Sequence, residues 1–139
     1  MSKTNISKNA NVATIPTKPG ISFYYKWLSF LIPFHKLTDR ERQVLAGLLN
    51  KRHELKRLVP DDNMLDNLMK QPEIRREVRE DLNIGPQQFN VLYSKLRAAG
   101  VIIGDKINKK YIPNIEHGSK EYKLVLIFEV NGGEVDIPK

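Results

Sequence analysis

The chain has 139 residues, of which 40% are apolar, no cysteine and a formal net charge of +7. This length fits one compact domain with a core large enough to fold unaided. The absence of cysteine excludes disulfides and thiolate metal sites, and it suits a reducing cytoplasm. The basic balance favours polyanionic partners without identifying one. Positive charge concentrates in residues 1–20, which contain three lysines and no acid, and in residues 86–120.

Residues 1–20 lack any apolar period, and we interpret them as a flexible basic arm ahead of a domain spanning residues 21–130. Aromatic side chains and the only tryptophan concentrate in residues 21–34, for which helix and strand are both possible. We expect this segment to cover the core, with docking to a membrane surface or a partner as the alternative. Lys26 and Pro33 interrupt it, so it is not expected to span a bilayer.

Two helices are predicted between residues 37 and 70. The first covers residues 37–58 and starts with a capping box, in which the Thr38 hydroxyl and the Glu41 carboxylate satisfy first-turn amides reciprocally. The second follows Pro60, with Asp61 or Asp62 as its cap. Their inward-facing stripes are Val44, Leu45, Leu48 and Leu49 in the first helix and Met64, Leu65, Leu68 and Met69 in the second.

Two further helices are separated by a short break at residues 83–85 (Asn-Ile-Gly). Pro72 suits the first position of the third helix, Pro86 starts the fourth, and Gly100 ends it. The two helices are therefore joined by a three-residue turn. Their apolar stripes are Ile74, Val78 and Leu82 in the third helix and Phe89, Leu92, Tyr93 and Leu96 in the fourth.

Beyond Gly100 the apolar period changes to two, which predicts strands at residues 107–113 and 121–130 joined by a polar loop. The second strand is apolar on most of both faces, so we expect it to be central in the sheet or at an interface. Residues 131–139 are interpreted as a short C-terminal tail. The predicted fold is mainly α with a small antiparallel β-sheet.

The order of helix, three-residue turn, helix, glycine and hairpin resembles the winged helix-turn-helix superfamily. The resemblance is carried by residues 80–89 (EDLNIGPQQF) and by the Leu-Arg-x-x-Gly-Val-Ile text at residues 96–102. It implies a winged helix-turn-helix over residues 38–130, with the helix-turn-helix at 72–100 and the wing hairpin at 107–130. Residues 37–41 (LTDRE) resemble the first helix of such regulators and of phage and plasmid replication initiators. In general style the chain is similar to small bacteriophage proteins.

The fourth helix leaves a polar face suited to a major groove. Gln and Asn bond an adenine edge bidentately, Lys and Arg reach guanine or the backbone, and a basic wing contacts the adjacent backbone. We therefore expect a transcription regulator or replication-associated factor that binds double-stranded DNA, in the cytoplasm or, for a phage protein, in the host cytoplasm or the virion. The candidate nucleic-acid-binding residues are Gln87, Gln88, Asn90, Val91, Ser94, Lys95 and Arg97 on the helix and Lys106, Lys109, Lys110 and Lys120 on the hairpin.

Two features weigh against DNA: the fourth helix is only mildly basic, and an acidic run precedes it. Arginines interleave with that run, so we expect a solvated, near-neutral face. The alternative function is a non-catalytic protein-interaction or structural module of a larger assembly such as a phage particle. A homodimer is also possible and would favour DNA binding, since paired helices read paired half-sites. The acidic run consists of Glu73, Glu77, Glu80 and Asp81.

Neither an enzyme nor a cofactor or metal site is expected. The three histidines are isolated in sequence, with no second ligand at helical spacing. Asp62 and Asp66 stand one helical turn apart and could hold a divalent ion, but capping and solvation explain this spacing better. The histidines are His35, His53 and His117.

Overall fold

The computed structural model describes residues 10–130, so residues 1–9 of the predicted arm and the whole predicted tail at 131–139 lie outside the described residues. Within this range the fold is mainly helical with a small two-stranded antiparallel sheet, as predicted. The elements are α1 (Ile21–Phe30), α2 (Ile32–His35), α3 (Asp39–Lys56), α4 (Asp62–Met69), α5 (Pro72–Leu82), α6 (Pro86–Ala98), β1 (Ile102–Ile103), β2 (Lys106–Ile107) and a 3-10 turn (Lys109–Tyr111).

The predicted helix ends are confirmed where a local hydrogen bond sets them. The Thr38 hydroxyl accepts from the Glu41 amide at 3.4 Å and Glu41 Oε1 accepts from the Thr38 amide at 3.2 Å, which completes the capping box of α3. Asp61 caps α4 by accepting from the Met64 amide at 3.0 Å. The three-residue turn between α5 and α6 is also confirmed, with Asn83 in the left-handed region at its start.

The central helix of the described fold is α3, on which α1, α4, α5 and α6 all pack. Gly47 allows a close approach of α5, because a Cβ at this position would come within 2.8 Å of Leu82 Cδ1. The predicted apolar stripes face the core except at Met64, which is 64% exposed. The largest fully buried side chains are Phe89, Leu28, Leu45, Leu65, Leu96, Val44, Val78 and Val101.

The aromatic segment at residues 21–34, for which helix and strand were both open, forms α1 and most of α2. Tyr24 and Leu28 are buried in the same cluster as the α3 stripe, so the expectation that this segment covers the core is confirmed. Trp27 donates from its indole nitrogen to the Tyr111 carbonyl at 3.0 Å. This bond ties α1 to the chain beyond the sheet.

A buried histidine fixes the corner between α2 and α3. His35 is 6% exposed; one ring nitrogen, Nδ1, accepts from the Leu37 amide at 2.9 Å, and the other, Nε2, lies 2.7 Å from the Leu28 carbonyl. A neutral ring protonated at Nε2 satisfies both contacts. Burial lowers the pKa of His35, the bond to Leu28 opposes this shift, and the nearby Arg42 charge adds to it.

The His35 environment predicts that the protein loses stability on mild acidification. The unfolded chain takes up a proton near the ordinary pKa of 6.5, whereas folded His35 resists protonation, so the unfolded state binds more protons as the pH falls. We expect a lower Tm by circular dichroism at about pH 5.5 than at about pH 7.5. His35→Gln should weaken this pH dependence, and a Tm that is unchanged between the two pH values would contradict the assignment.

The predicted strands are wrong. The observed hairpin spans residues 102–107, and its two-residue loop is Gly104-Asp105, with φ of 57° and 58°. Two consecutive positive φ values are typical of a type I′ turn, which reverses the chain before residue 107. Asn108 then accepts from the Lys110 amide and starts the 3-10 turn, so residues 107–113 cannot continue as a strand. Residues 121–130 consequently have no strand partner within the described chain.

Candidate nucleic-acid interface

Helix α6 presents one apolar and one polar face. Its stripe of Phe89, Leu92, Tyr93 and Leu96 is buried, as predicted. The opposite side is open, since no part of the described chain covers it, and even the apolar Val91 is 56% exposed. All seven candidate residues of the helix are exposed: Gln87, Gln88, Asn90, Val91, Ser94, Lys95 and Arg97.

The N-terminus of α6 has no side-chain cap. Gly85 occupies the cap position, Pro86 has no amide hydrogen, and the first backbone bond of the helix runs from the Phe89 amide to the Gly85 carbonyl at 3.0 Å. The amides of Gln87 and Gln88 therefore point out of the first turn, where the helix dipole favours an anion. This end of the helix suits a phosphate group.

The acidic run on α5 is partly neutralised by a lysine of α3. Lys51 is 8% exposed, and its Nζ lies 3.4 Å from Asp81, 3.7 Å from Glu77 and 3.4 Å from Glu54. Burial acts to lower the pKa of Lys51, but the surrounding carboxylates outweigh it and raise the pKa. Much of the acidity that weighed against DNA is thus directed toward α3.

The basic side chains of α5 gather on a different side of the helix. At 3.6 residues per turn, Arg75, Arg76 and Arg79 share one side, and Glu77 and Asp81 lie on another. Acids also occur on this side, since Arg76 Nε lies 3.8 Å from Glu80 Oε1 and Glu73 lines the groove there. The groove on the basic side is lined by Lys70, Pro72, Glu73, Arg75, Arg76 and Arg79.

The basic groove meets α6 at Tyr93. The guanidinium carbons of Arg75 and Arg97 lie 4.5 and 5.2 Å from the Tyr93 ring centroid. Arg75 also donates to the Tyr93 hydroxyl at 3.1 Å. Burial raises the pKa of Tyr93, so this hydroxyl stays neutral and able to donate. Arg75 of α5 and Arg97 of α6 therefore both lie against this ring.

Asp105, in the turn of the hairpin, contacts both Arg75 and Arg97. Its Oδ1 accepts a close hydrogen bond from Arg97, lies 3.3 Å from the Tyr93 hydroxyl and 3.9 Å from Arg75 Nη2. The hydrogen bond from Arg97 lowers the pKa of Asp105, which keeps the carboxylate ionised at neutral pH. Arg97 is therefore held by the hairpin instead of pointing freely into solvent.

The four candidate lysines of the predicted wing are exposed but do not share one ribbon. Lys106 belongs to β2, and Lys109 and Lys110 lie in the 3-10 turn. That turn stays near the end of α6, because the Asn108 side chain donates to the Gly100 carbonyl at 3.2 Å. Lys110 Nζ lies 5.5 Å from the Phe34 ring centroid, so this lysine leans toward α2.

The loop that contains Lys120 is held by a pair of histidines at the C-terminal end of α3. The rings of His53 and His117 stack at 3.9 Å, and His117 Nε2 lies 2.6 Å from the His53 carbonyl. Burial lowers the pKa of His53, and the nearby His117 adds to this effect. The loop that contains Lys120 is thereby attached to the C-terminal turn of α3, apart from the hairpin expected to present it.

The candidate nucleic-acid-binding residues predicted from sequence did not include five charged residues of this region: Lys70, Arg75, Arg76, Arg79 and Asp105. The signal for Arg75 and Arg79 was present, since a helical projection of α5 separates them from Glu77 and Asp81. The role of Asp105 was hidden because the hairpin was placed five residues too late.

The aspartates at helical spacing bind an arginine. Asp66 Oδ1 lies 3.2 Å from Arg52 Nε, and Asp62 Oδ1 lies 3.4 Å from Arg52 Nη2. Among residues 10–130 no cluster of three metal-ligating side chains occurs. Over the same range, no helix combines the length and apolar character needed to cross a bilayer.

Comparisons of the chain with models of protein families, with curated proteins and with solved structures found no match. The candidate interface is therefore interpreted from its own geometry.

Proposed function

We propose that this protein is a non-enzymatic double-stranded DNA-binding protein of winged helix-turn-helix type, acting in transcription regulation or replication. The observation that carries the proposal is the open polar face of α6, which begins at an uncapped helix N-terminus. In this interpretation Gln87, Gln88 and Asn90 enter the major groove and contact base edges. The amides of the first turn bind a phosphate.

The basic groove of α5 supports the same proposal. Its side chains adjoin α6 at Tyr93, so a duplex lying along α6 would bring phosphates within their reach. Such contacts fix register and supply affinity without reading sequence. The short hairpin contributes Lys106 and, through the following turn, Lys109 at the other end of α6.

The test is a fluorescence anisotropy titration of a labelled duplex at low salt. We expect micromolar or tighter binding that weakens steeply as salt is added, because phosphate contacts release counterions. Gln88→Ala and Asn90→Ala should lower the preference for the best sequence in a randomised pool, whereas Arg79→Ala should weaken binding to every duplex. Arg40→Ala, which removes one exposed charge at the start of α3, is the matched control. Absence of duplex binding at micromolar protein would overturn the proposal.

The Asp105 restraint leads to a prediction of tighter DNA binding on its removal. Asp105→Asn removes a negative charge beside two arginines and weakens the bond that holds Arg97, since a neutral amide oxygen accepts less strongly than a carboxylate. We expect several-fold tighter binding to any duplex, and a slope of log affinity against log salt that steepens by about one unit. Glu116→Gln makes the same charge change at an exposed loop position. An equal gain in Glu116→Gln, or weaker binding in Asp105→Asn, would contradict the assigned role.

Association with protein is a second candidate function. It is supported by residues 124–130, where most of the apolar side chains are more than half exposed.

A further inference from the structure

The most exposed apolar surface in the described chain is the segment of residues 121–130 (EYKLVLIFEV). Ile127 is 81% exposed and Phe128 is 86% exposed. No backbone hydrogen bond joins the segment to another residue between 10 and 130. β-branched and aromatic residues make up half of it, and it has no proline or glycine, so it is well suited to pair as a β-strand. Burial of such a segment needs a partner that offers a strand edge.

The start of the segment is fixed to the body of the protein. The Tyr122 ring contacts Phe23 and Trp27 of α1 edge to face, with centroids 5.8 and 5.5 Å apart. Exposure alternates over residues 124–127 only, since Leu124 is 38%, Val125 59%, Leu126 51% and Ile127 81% exposed, whereas Phe128 is 86% exposed. The even-numbered side of the segment thus faces the protein where it begins, and its odd-numbered side faces solvent.

We propose that residues 122–130 pair antiparallel with the same residues of a second copy of this chain, with the two-fold axis at Leu126. This inference does not depend on DNA binding. In this register every apolar side chain opposes another apolar side chain. The cross-strand pairs are Tyr122 with Val130, Leu124 with Phe128, Val125 with Ile127, and Leu126 with itself.

Charge complementarity selects a second copy as the partner. Lys123 and Glu129 lie three positions on either side of Leu126, so the proposed register sets each lysine opposite the partner's glutamate, twice per dimer. A parallel, in-register pairing would oppose lysine to lysine and glutamate to glutamate. Lys123 Nζ also lies 3.7 Å from Glu121 within its own chain, but both side chains are exposed and this contact competes weakly.

The pleat gives the ribbon a defined apolar face. Paired residues of an antiparallel ribbon point to the same side, so the even-numbered residues of both copies form one continuous apolar surface. That surface starts at Tyr122, which already packs on α1 in each copy. The dimer ribbon would therefore extend the existing core of each protomer.

Sedimentation equilibrium and light scattering on the full chain test the proposal without DNA. We expect a concentration-dependent mass approaching twice 16.0 kDa. Lys123→Glu and Glu129→Lys should each weaken dimerisation about tenfold or more, because each converts two opposed pairs to like charges. The double variant should restore the wild-type constant, and a mixture of the two single variants should form heterodimers. Glu116→Lys, a charge reversal outside the segment, should leave it unchanged.

Three results would overturn the inference. The first is a monomer at all concentrations up to about millimolar, where even a weak association of about 4 kcal/mol would be populated. The second is a dimer insensitive to both single reversals, which would place the contact elsewhere. The third is loss of dimer in the single variants without recovery in the double variant, which would exclude this register. Circular dichroism of each variant checks that the helical body is unchanged.

Discussion

Replacing Asp66 with alanine is expected to lower the free energy of unfolding by about 3 kcal/mol, because it leaves a buried arginine charge with too little compensation. Arg52 is 5% exposed and Asp66 is 7% exposed, and their 3.2 Å contact joins α3 to α4. We place the value at the low end of the range for a broken buried pair, since Asp62 still reaches Arg52. Urea unfolding followed by circular dichroism measures the change.

Asp62→Ala is the matched control for this experiment. Asp62 binds the same arginine, but its side chain is about half exposed. Its removal should lower the free energy of unfolding by less than about 1 kcal/mol. Equal effects of the two substitutions would contradict the assignment of the buried pair. Replacing both members, Arg52→Met with Asp66→Leu, should recover most of the loss.

Phe89→Ala is expected to lower the free energy of unfolding by about 3–5 kcal/mol, the usual result of removing a large ring from a filled core. Phe89 is 1% exposed, lies in the first half of α6 and stacks at 5.8 Å on Tyr93. Helix α6 packs on α3 through this stripe, so the substitution should also loosen the helix that carries the candidate interface. Chemical denaturation measures the first effect, and amide hydrogen exchange of α6 measures the second.

Val91→Ala on the same helix separates core packing from helix propensity. Val91 is 56% exposed and alanine is the better helix former, so the free energy of unfolding should change by less than about 0.5 kcal/mol. A large loss in Val91→Ala, or a small one in Phe89→Ala, would show that the inward face of α6 has been assigned incorrectly.

The helices followed from sequence because their signals are local. Thr38 with Glu41, Asp61, Pro72 and Pro86 act within one turn of the residue that carries them. Apolar spacing then identified which side of each helix is buried. Met64 is the exception, since it is 64% exposed although it shares the spacing of its stripe.

The strands could not be predicted from sequence in the same way, because strand pairing depends on turn geometry and on partners distant in the chain. Residues 121–130 have the composition of a strand, but composition does not specify the partner. The Gly104-Asp105 turn pairs residues 102–103 with residues 106–107, earlier in the chain than expected. Asn108 then starts a 3-10 turn, which ends the strand. The exposed face of α6 was predictable from the same period as its core. Lys51 could be assigned to Glu77 and Asp81 only in three dimensions, because it lies on another helix.

We propose that the open face of α6 binds a DNA duplex. The most direct test is a 15N-labelled amide titration with duplex DNA at low salt, recorded by NMR. We expect the largest shifts at residues 87–97, with smaller shifts along the basic side of α5. Unchanged amides throughout residues 87–97 in the presence of excess duplex, with or without shifts elsewhere, would contradict this proposal.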